Sequence, residues 1–158
     1  MKNTRTILIY AENERGVLER ILMIARQKRY NLEQITASDT ERKNIKQIII
    51  TYSDIDKKFN QMMKQMNKII EVIDVKEVNQ ENSIQKEVAF IKIEIPKKMN
   101  LFNKIISENG VEMVYSSDKE IILRIVGDTD FIQEIREKVR KDFKIKEFSA
   151  SGTVAMLK

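Results

Sequence analysis

The feature that most constrains this chain is an apolar pattern that runs through one succession of elements twice. Apolar residues at every second position mark strands, and apolar stripes at three- and four-residue intervals mark helices. Ile7-Leu8-Ile9-Tyr10 reads as a strand, and Val17, Leu18, Ile21, Leu22 and Ala25 as one face of a helix. Leu32, Ile35 and Thr36 predict a second strand, and Ile45, Ile48, Ile49, Ile50 and Tyr52 a third, with Asp39 to Asn44 as their hairpin loop. Ser53 and Asp56 stand at capping-box spacing. Ile55, Phe59, Met62, Met63 and Met66 follow at helical intervals, and a methionine stripe at that spacing reads as core filler. Ile70, Val72, Ile73, Val75 and Val78 supply a fourth strand, which makes the order βαββαβ.

After the polar stretch Asn79 to Gln85 the order starts again. Val88, Phe90, Ile91, Ile93 and Ile95 form a strand stopped by Pro96, the only proline, which has no N–H for a ladder. Leu101, Phe102, Ile105 and Ile106 make a short helix that Asn109-Gly110 can end. Val111, Met113 and Val114 pair with Ile121 to Val126 around a turn at Ser116-Ser117-Asp118. Phe131, Ile132, Ile135 and Val139 stripe a last helix, and Ile145 to Met156 is read as one closing strand region. The Asp-x-Asp pairs at 54/56 and 128/130 fall at the same place in both halves, before the second helix. Two carboxylates at a helix start are caps rather than a metal site, because calcium needs further oxygen ligands at a recognisable spacing. The predicted fold is α+β, with two tandem ferredoxin-like βαββαβ domains, each a four-stranded antiparallel sheet with helices on one face. Their expected extents are 1–79 and 86–158, joined by a linker at 80–85.

Composition removes most chemistry. There are no cysteines and no histidines, so disulfides, thiolate nucleophiles, the usual general base and the usual zinc ligand are all missing. No set of Lys, Tyr or carboxylates stands out by spacing, and no catalytic residue and no metal ligand is assigned. The net charge of +5 invites nucleic acid, but charges of both signs are interspersed along a chain that is 34% charged. With aromatics at 6% and no basic-glycine-aromatic signature, nucleic acid is not an expected partner. No apolar run of membrane length and no leader pattern occurs, so neither a membrane nor export is expected, and the cytoplasm is the expected location.

One segment carries a chemical suggestion. The turn Glu12-Asn13-Glu14-Arg15-Gly16 joins the first strand to the first helix, and Gly16 is one of only four glycines. A helix start has N–H groups without intrahelical partners and the positive end of the dipole, which suit a carboxylate, and a glycine there lets a ligand approach the backbone. The plainer alternative is that Asn13 only caps the helix.

The run Arg5-Thr6-Ile7-Leu8 through Glu12-Asn13-Glu14-Arg15-Gly16-Val17-Leu18-Glu19-Arg20, with Tyr30-Asn31-Leu32-Glu33-Gln34-Ile35-Thr36, resembles the regulatory (small) subunit of acetolactate synthase, whose N-terminal domain is an ACT domain. Gln61, Gln65, Lys68, Val72, Lys86-Glu87, Lys92 and the tail Ser151-Gly152-Thr153-Val154-Ala155-Met156 extend the resemblance over nearly the whole chain. It implies a protein without an active site that binds a large catalytic subunit, raises its activity and confers feedback inhibition by valine or another branched-chain amino acid. It implies no cofactor on this chain; thiamine diphosphate, magnesium and FAD are expected on the catalytic subunit alone. It further implies a homodimer through the ACT domains with the effector between them, met by Asn13, Gly16, Val17 and Leu18 of one protomer and Asn31 and Leu32 of the other. Four positions depart from the family pattern: Arg29 replaces a glycine, Lys46-Gln47 replaces Ser-Arg, and Ala150 replaces an arginine. A free-standing amino-acid sensor of the same fold is the alternative; a nucleic-acid-binding module is a more distant one.

Overall fold

The computed structural model describes residues 4–27, 31–53, 59–96 and 99–158. The chain forms two units, Met1–Ile84 with Val154–Lys158, and Gln85–Thr153.

In the first unit the order is β1 (Thr4–Glu12), α1 (Val17–Gln27), β2 (Asn31–Asp39), β3 (Ile45–Ser53), α2 (Phe59–Met66) and β4 (Val72–Val78). The antiparallel sheet runs β2-β3-β1-β4. Alternation along the strands sends Ile7, Ile9, Ala11, Ile48, Ile50 and Tyr52 to one face. There they pack with Val17, Ile21 and Ala25 of α1 and Phe59, Met62 and Met66 of α2. The methionine stripe is core, as its spacing predicts. Full burial of each large side chain here contributes about 1.5–3 kcal/mol. The other face carries Leu8, Ile49 and Val78, buried together with Ala155 and flanked by Tyr10 and Leu157.

The second unit repeats the order as β5 (Ser83–Glu94), α3 (Met99–Ile106), β6 (Val111–Ser116), β7 (Glu120–Gly127), α4 (Thr129–Asp142) and β8 (Ile145–Ala150). Its sheet runs β6-β7-β5-β8. Ala89, Ile91, Ile93, Leu123 and Ile125 meet Phe102, Ile105, Ile132, Ile135 and Val139 of its helices. Gly110 has φ 93, and a Cβ there would lie 2.5 Å from the Val126 carbonyl oxygen. Only glycine allows the approach by which Val126 N–H donates to the Gly110 carbonyl at 2.8 Å. Asp128 caps α4, its carboxylate accepting from Phe131 N–H at 2.8 Å.

Four boundaries differ from the sequence reading. Ile70 is not in the fourth strand; it sits in the turn before β4 and is 95% exposed, while Ile69 packs on the core in its place. The stretch read as a linker is a tight turn, in which the Asn79 side-chain oxygen accepts from the N–H groups of Glu81 and Asn82, and β5 already begins at Ser83. The closing region is two strands, because Gly152, at φ 79, breaks β8 from β9 (Val154–Leu157). Residues 154–158 belong to the first unit rather than extending the second to 158, and within that unit Lys158 N–H donates to the Asn82 carbonyl. Asp56 of the capping-box reading with Ser53, and the Asp54/Asp56 pair, lie outside the described residues.

Candidate functional site

The turn after β1 is held at three points. Glu12 N–H donates to the Glu71 carbonyl and Asn13 N–H to the Asn44 carbonyl, each at 2.8 Å, and Arg20 of α1 pairs with the Glu71 carboxylate. Asn13 is therefore not simply a cap: four residues ahead of α1, its backbone ties the turn to the β2–β3 hairpin. Asn44 itself holds φ 66, a conformation asparagine tolerates better than most residues. Gly16 has φ 82 and its carbonyl accepts from Arg20 N–H at 3.0 Å. The left-handed backbone at Gly16 turns the chain sharply into α1; Val17 N–H donates to the Glu14 carbonyl at 3.4 Å, and the N–H groups of Leu18 and Glu19 fall in the first turn, where a helix has no intrahelical acceptor for them.

The side chains at the helix start divide by direction. Val17 is 3% exposed and faces the core, so its side chain does not meet a ligand at the turn. Leu18 is 39% exposed and presents an apolar surface beside the turn.

Asn31 and Leu32 open β2, with Leu32 40% exposed. The Asn31 amide nitrogen donates to Ser53 Oγ at 3.0 Å and to Glu33 Oε1 at 3.2 Å. With both N–H donors of the amide engaged, Oδ1 is the atom that Asn31 offers a ligand, and Oδ1 is an acceptor suited to an ammonium group.

The strand register places these two sets at opposite ends of one sheet. Glu12 lies opposite Ile45 at the hairpin end, whereas Thr4 lies opposite Ser53, and Ser53 lies opposite Asn31, at the far end. Eight residue steps of roughly 3.3 Å separate the ends, about 26 Å. Within one protomer, then, Asn13, Gly16, Val17 and Leu18 come together and Asn31 and Leu32 do not join them. Between the two ends runs β2, which is the edge of its sheet. An edge strand presents one row of backbone groups outward. Arg29 lies outside the described residues; Gln47 donates from Nε2 to the Ala155 carbonyl at 3.1 Å.

A second polar centre was not legible in the pattern. Glu87, 3% exposed on β5, accepts from Thr129 Oγ1 and Thr153 Oγ1, each at 2.6 Å. A carboxylate at that depth requires such donors. The sequence signal available for it was Glu87 itself, a charged residue in period-two register with Ala89, Ile91 and Ile93 of the same strand.

Comparison with known proteins agrees with this fold. Residues 13–75 match the ACT domain model, and residues 86–158 match the model for the small subunit of acetolactate synthase. The probable acetolactate synthase small subunit of Archaeoglobus fulgidus is 31% identical, over 100% of this chain and 98% of its own. The acetolactate synthase small subunit of Bacillus subtilis is 30% identical over 96% of this chain and 88% of its own. The crystal structure of the Thermotoga maritima acetolactate synthase small subunit superposes with a TM-score of 0.84 at 20% identity, covering 99% of this chain and 98% of that one. Fold and turn together define an ACT-domain protein of two ferredoxin-like units. Within that class, the chain belongs to the acetolactate synthase small subunit family. No helix among the described residues is long and apolar enough to cross a membrane.

Proposed function

We propose that this chain is the regulatory subunit of an acetolactate synthase. It binds the large, thiamine-diphosphate-dependent catalytic subunit, on which magnesium and FAD also reside, and raises its activity. It makes that activity answer to valine or another branched-chain amino acid. The observation that carries the effector site is the separation of the Gly16 turn and Asn31 at the two ends of edge strand β2. When two β2 edges pair antiparallel about a two-fold axis, the ends are exchanged, and Asn31 of each protomer approaches the hairpin end of the other. The homodimer builds two equivalent sites, each from both chains.

The chemistry fits an α-amino acid. The helix start after Gly16 supplies N–H donors to the carboxylate, Asn31 Oδ1 accepts from the ammonium, and Leu18 and Leu32 receive the aliphatic side chain. Such a pocket separates valine from leucine or isoleucine only weakly, since one methylene is worth about 1–3 kcal/mol. The test is reconstitution with the cognate catalytic subunit. Co-purification, a higher turnover rate and inhibition of the complex by a branched-chain amino acid are expected; absence of binding and of any rate change at micromolar concentration overturns the reading.

A further inference from the structure

The turn between α2 and β4 carries the most exposed large apolar side chain among the described residues. Ile70 is 95% exposed, although turn positions ordinarily go to glycine, asparagine, aspartate or serine. The turn itself is firmly held. Ile69 N–H donates to the Met66 carbonyl at 3.1 Å and Val72 N–H to the Ile69 carbonyl at 3.0 Å, while the Ile69 side chain packs on the core. With its neighbours fixed on both sides, Ile70 is a β-branched knob that loses little freedom on entering a socket. The solvent side of α2 leads up to it. Asn60, Gln61 and Lys64, then Asn67 and Lys68, are exposed, and the stretch 59–70 contains no acidic residue. Other surfaces mix the signs: α4 sets Glu134 against Lys138 and Glu137 against Arg140. A cationic face bearing one apolar knob fits a partner that offers an apolar socket with an acidic rim.

Glu71, the next residue, is joined to the effector turn at two points. Its carbonyl accepts from Glu12 N–H at 2.8 Å, and its carboxylate pairs with Arg20, whose own N–H donates to the Gly16 carbonyl. A displacement of the Gly16 turn therefore reaches Ile70 through a single residue. We infer that the solvent face of α2 and the Ile70 turn dock the large catalytic subunit, Ile70 entering an apolar socket there, and that Glu71 carries the state of the effector turn to this contact. The contact presupposes the regulatory reading and gives it a surface. A second copy is the poorer occupant on two counts. β4 lies at the edge of the sheet opposite β2, so pairing of two β2 edges leaves this turn uncovered. Two copies of the face are both cationic and repel each other.

The test titrates the cognate catalytic subunit with the full-length protein as wild type, as Ile70→Ser, and as Lys64→Glu combined with Lys68→Glu. Ile70 touches no core, so Ile70→Ser is expected to keep the melting temperature, the sedimentation and the valine-induced thermal shift of wild type. It is expected to raise the concentration for half-maximal activation about 10- to 100-fold, the worth of one buried isoleucine. The double charge reversal is expected to raise it too, with the gap from wild type closing as salt is added. In Glu71→Gln the charge pair with Arg20 is lost, and at saturating valine its complex is expected to retain more activity than the wild-type complex; equal residual activity removes Glu71 from the coupling. Ile70→Ser that activates at the wild-type concentration overturns the contact and leaves the regulatory reading standing. Ile70→Ser that sediments as a smaller species than wild type also overturns it, giving the knob to a second copy. Wild type that neither binds nor activates the catalytic subunit overturns the regulatory reading and the contact together.

Discussion

Thr153 donates its hydroxyl to the Glu87 carboxylate at 2.6 Å, across 66 positions of sequence, with both residues buried. The bond ties the last residue of the second unit to its first strand, and one position later the chain enters the first unit as β9. Thr129 donates to the same oxygen and fixes the start of α4. Replacing Glu87 by alanine takes this acceptor from the buried Thr153 hydroxyl, and we expect a loss of about 1–3 kcal/mol in urea unfolding. Glu87→Gln keeps an acceptor and is expected to lose less. A loss below about 0.5 kcal/mol for Glu87→Ala, the level of an ordinary surface change, contradicts this account.

Gly16→Ala is expected to destabilise by roughly 1–2 kcal/mol, because a Cβ at φ 82 is strained whatever space surrounds it. The nearest atoms to that Cβ are the flexible ends of Arg20 and Glu19 at 3.3 Å, so crowding adds little and the cost is conformational. The same variant is expected to shrink the rise in melting temperature produced by valine, which follows RT ln(1 + [L]/Kd). An unchanged valine shift means that the ligand does not approach this backbone.

Asp128→Ala removes the cap of α4 and is expected to cost about 0.5–2 kcal/mol, with Asp128→Asn largely preserving stability. Chemical denaturation of the three proteins side by side decides it. Equal midpoints for wild type and Asp128→Ala refute the assignment.

Burial pushes the Tyr52 phenol well above its usual value near 10. As pH rises past about 10, the unfolded chain gives up this proton while the folded chain still holds it. The stability linked to Tyr52 is therefore full below about pH 10 and is lost as pH climbs toward the folded value. Melting temperature measured from pH 8 to 11.5 is expected to fall less steeply for Tyr52→Phe than for wild type at the alkaline end. Parallel profiles contradict the linkage.

The apolar periods alone delivered the two sheets and the four helices. Ile7 and Ile9 on one strand face, and Ile21 and Ala25 on one helix face, leave few alternatives to packing against each other. What the period does not encode is where a strand goes after a break. Residues 145–156 alternate as one strand would, yet Gly152 bends the chain, and Ala155 and Leu157 pack with Leu8, Ile49 and Val78 of the first sheet. Ile70 went wrong because it and Ile69 are equally apolar, and only the turn geometry, with Val72 N–H donating to the Ile69 carbonyl, decides which is buried. For the candidate site, the residue types at the Gly16 turn were readable as an anion site. The position of Asn31 at the opposite end of the sheet was not, since it depends on the pairing of β2 with β3.

The central claim is that each effector site is made by two chains, and mixing two defective proteins tests it most directly. A Gly16→Val homodimer lacks both turns and an Asn31→Ala homodimer lacks both amides, so neither is expected to show a valine-dependent thermal shift. Denatured together and refolded, they form mixed dimers in which the sound Gly16 turn of one chain meets the sound Asn31 of the other, one intact site per mixed dimer. Recovery of valine binding in the mixture, measured by calorimetry as a fraction of a site per chain, is the result the proposed shared site predicts. Two variants that stay silent when mixed, or an Asn31→Ala homodimer that binds valine as wild type does, contradict a site shared between protomers.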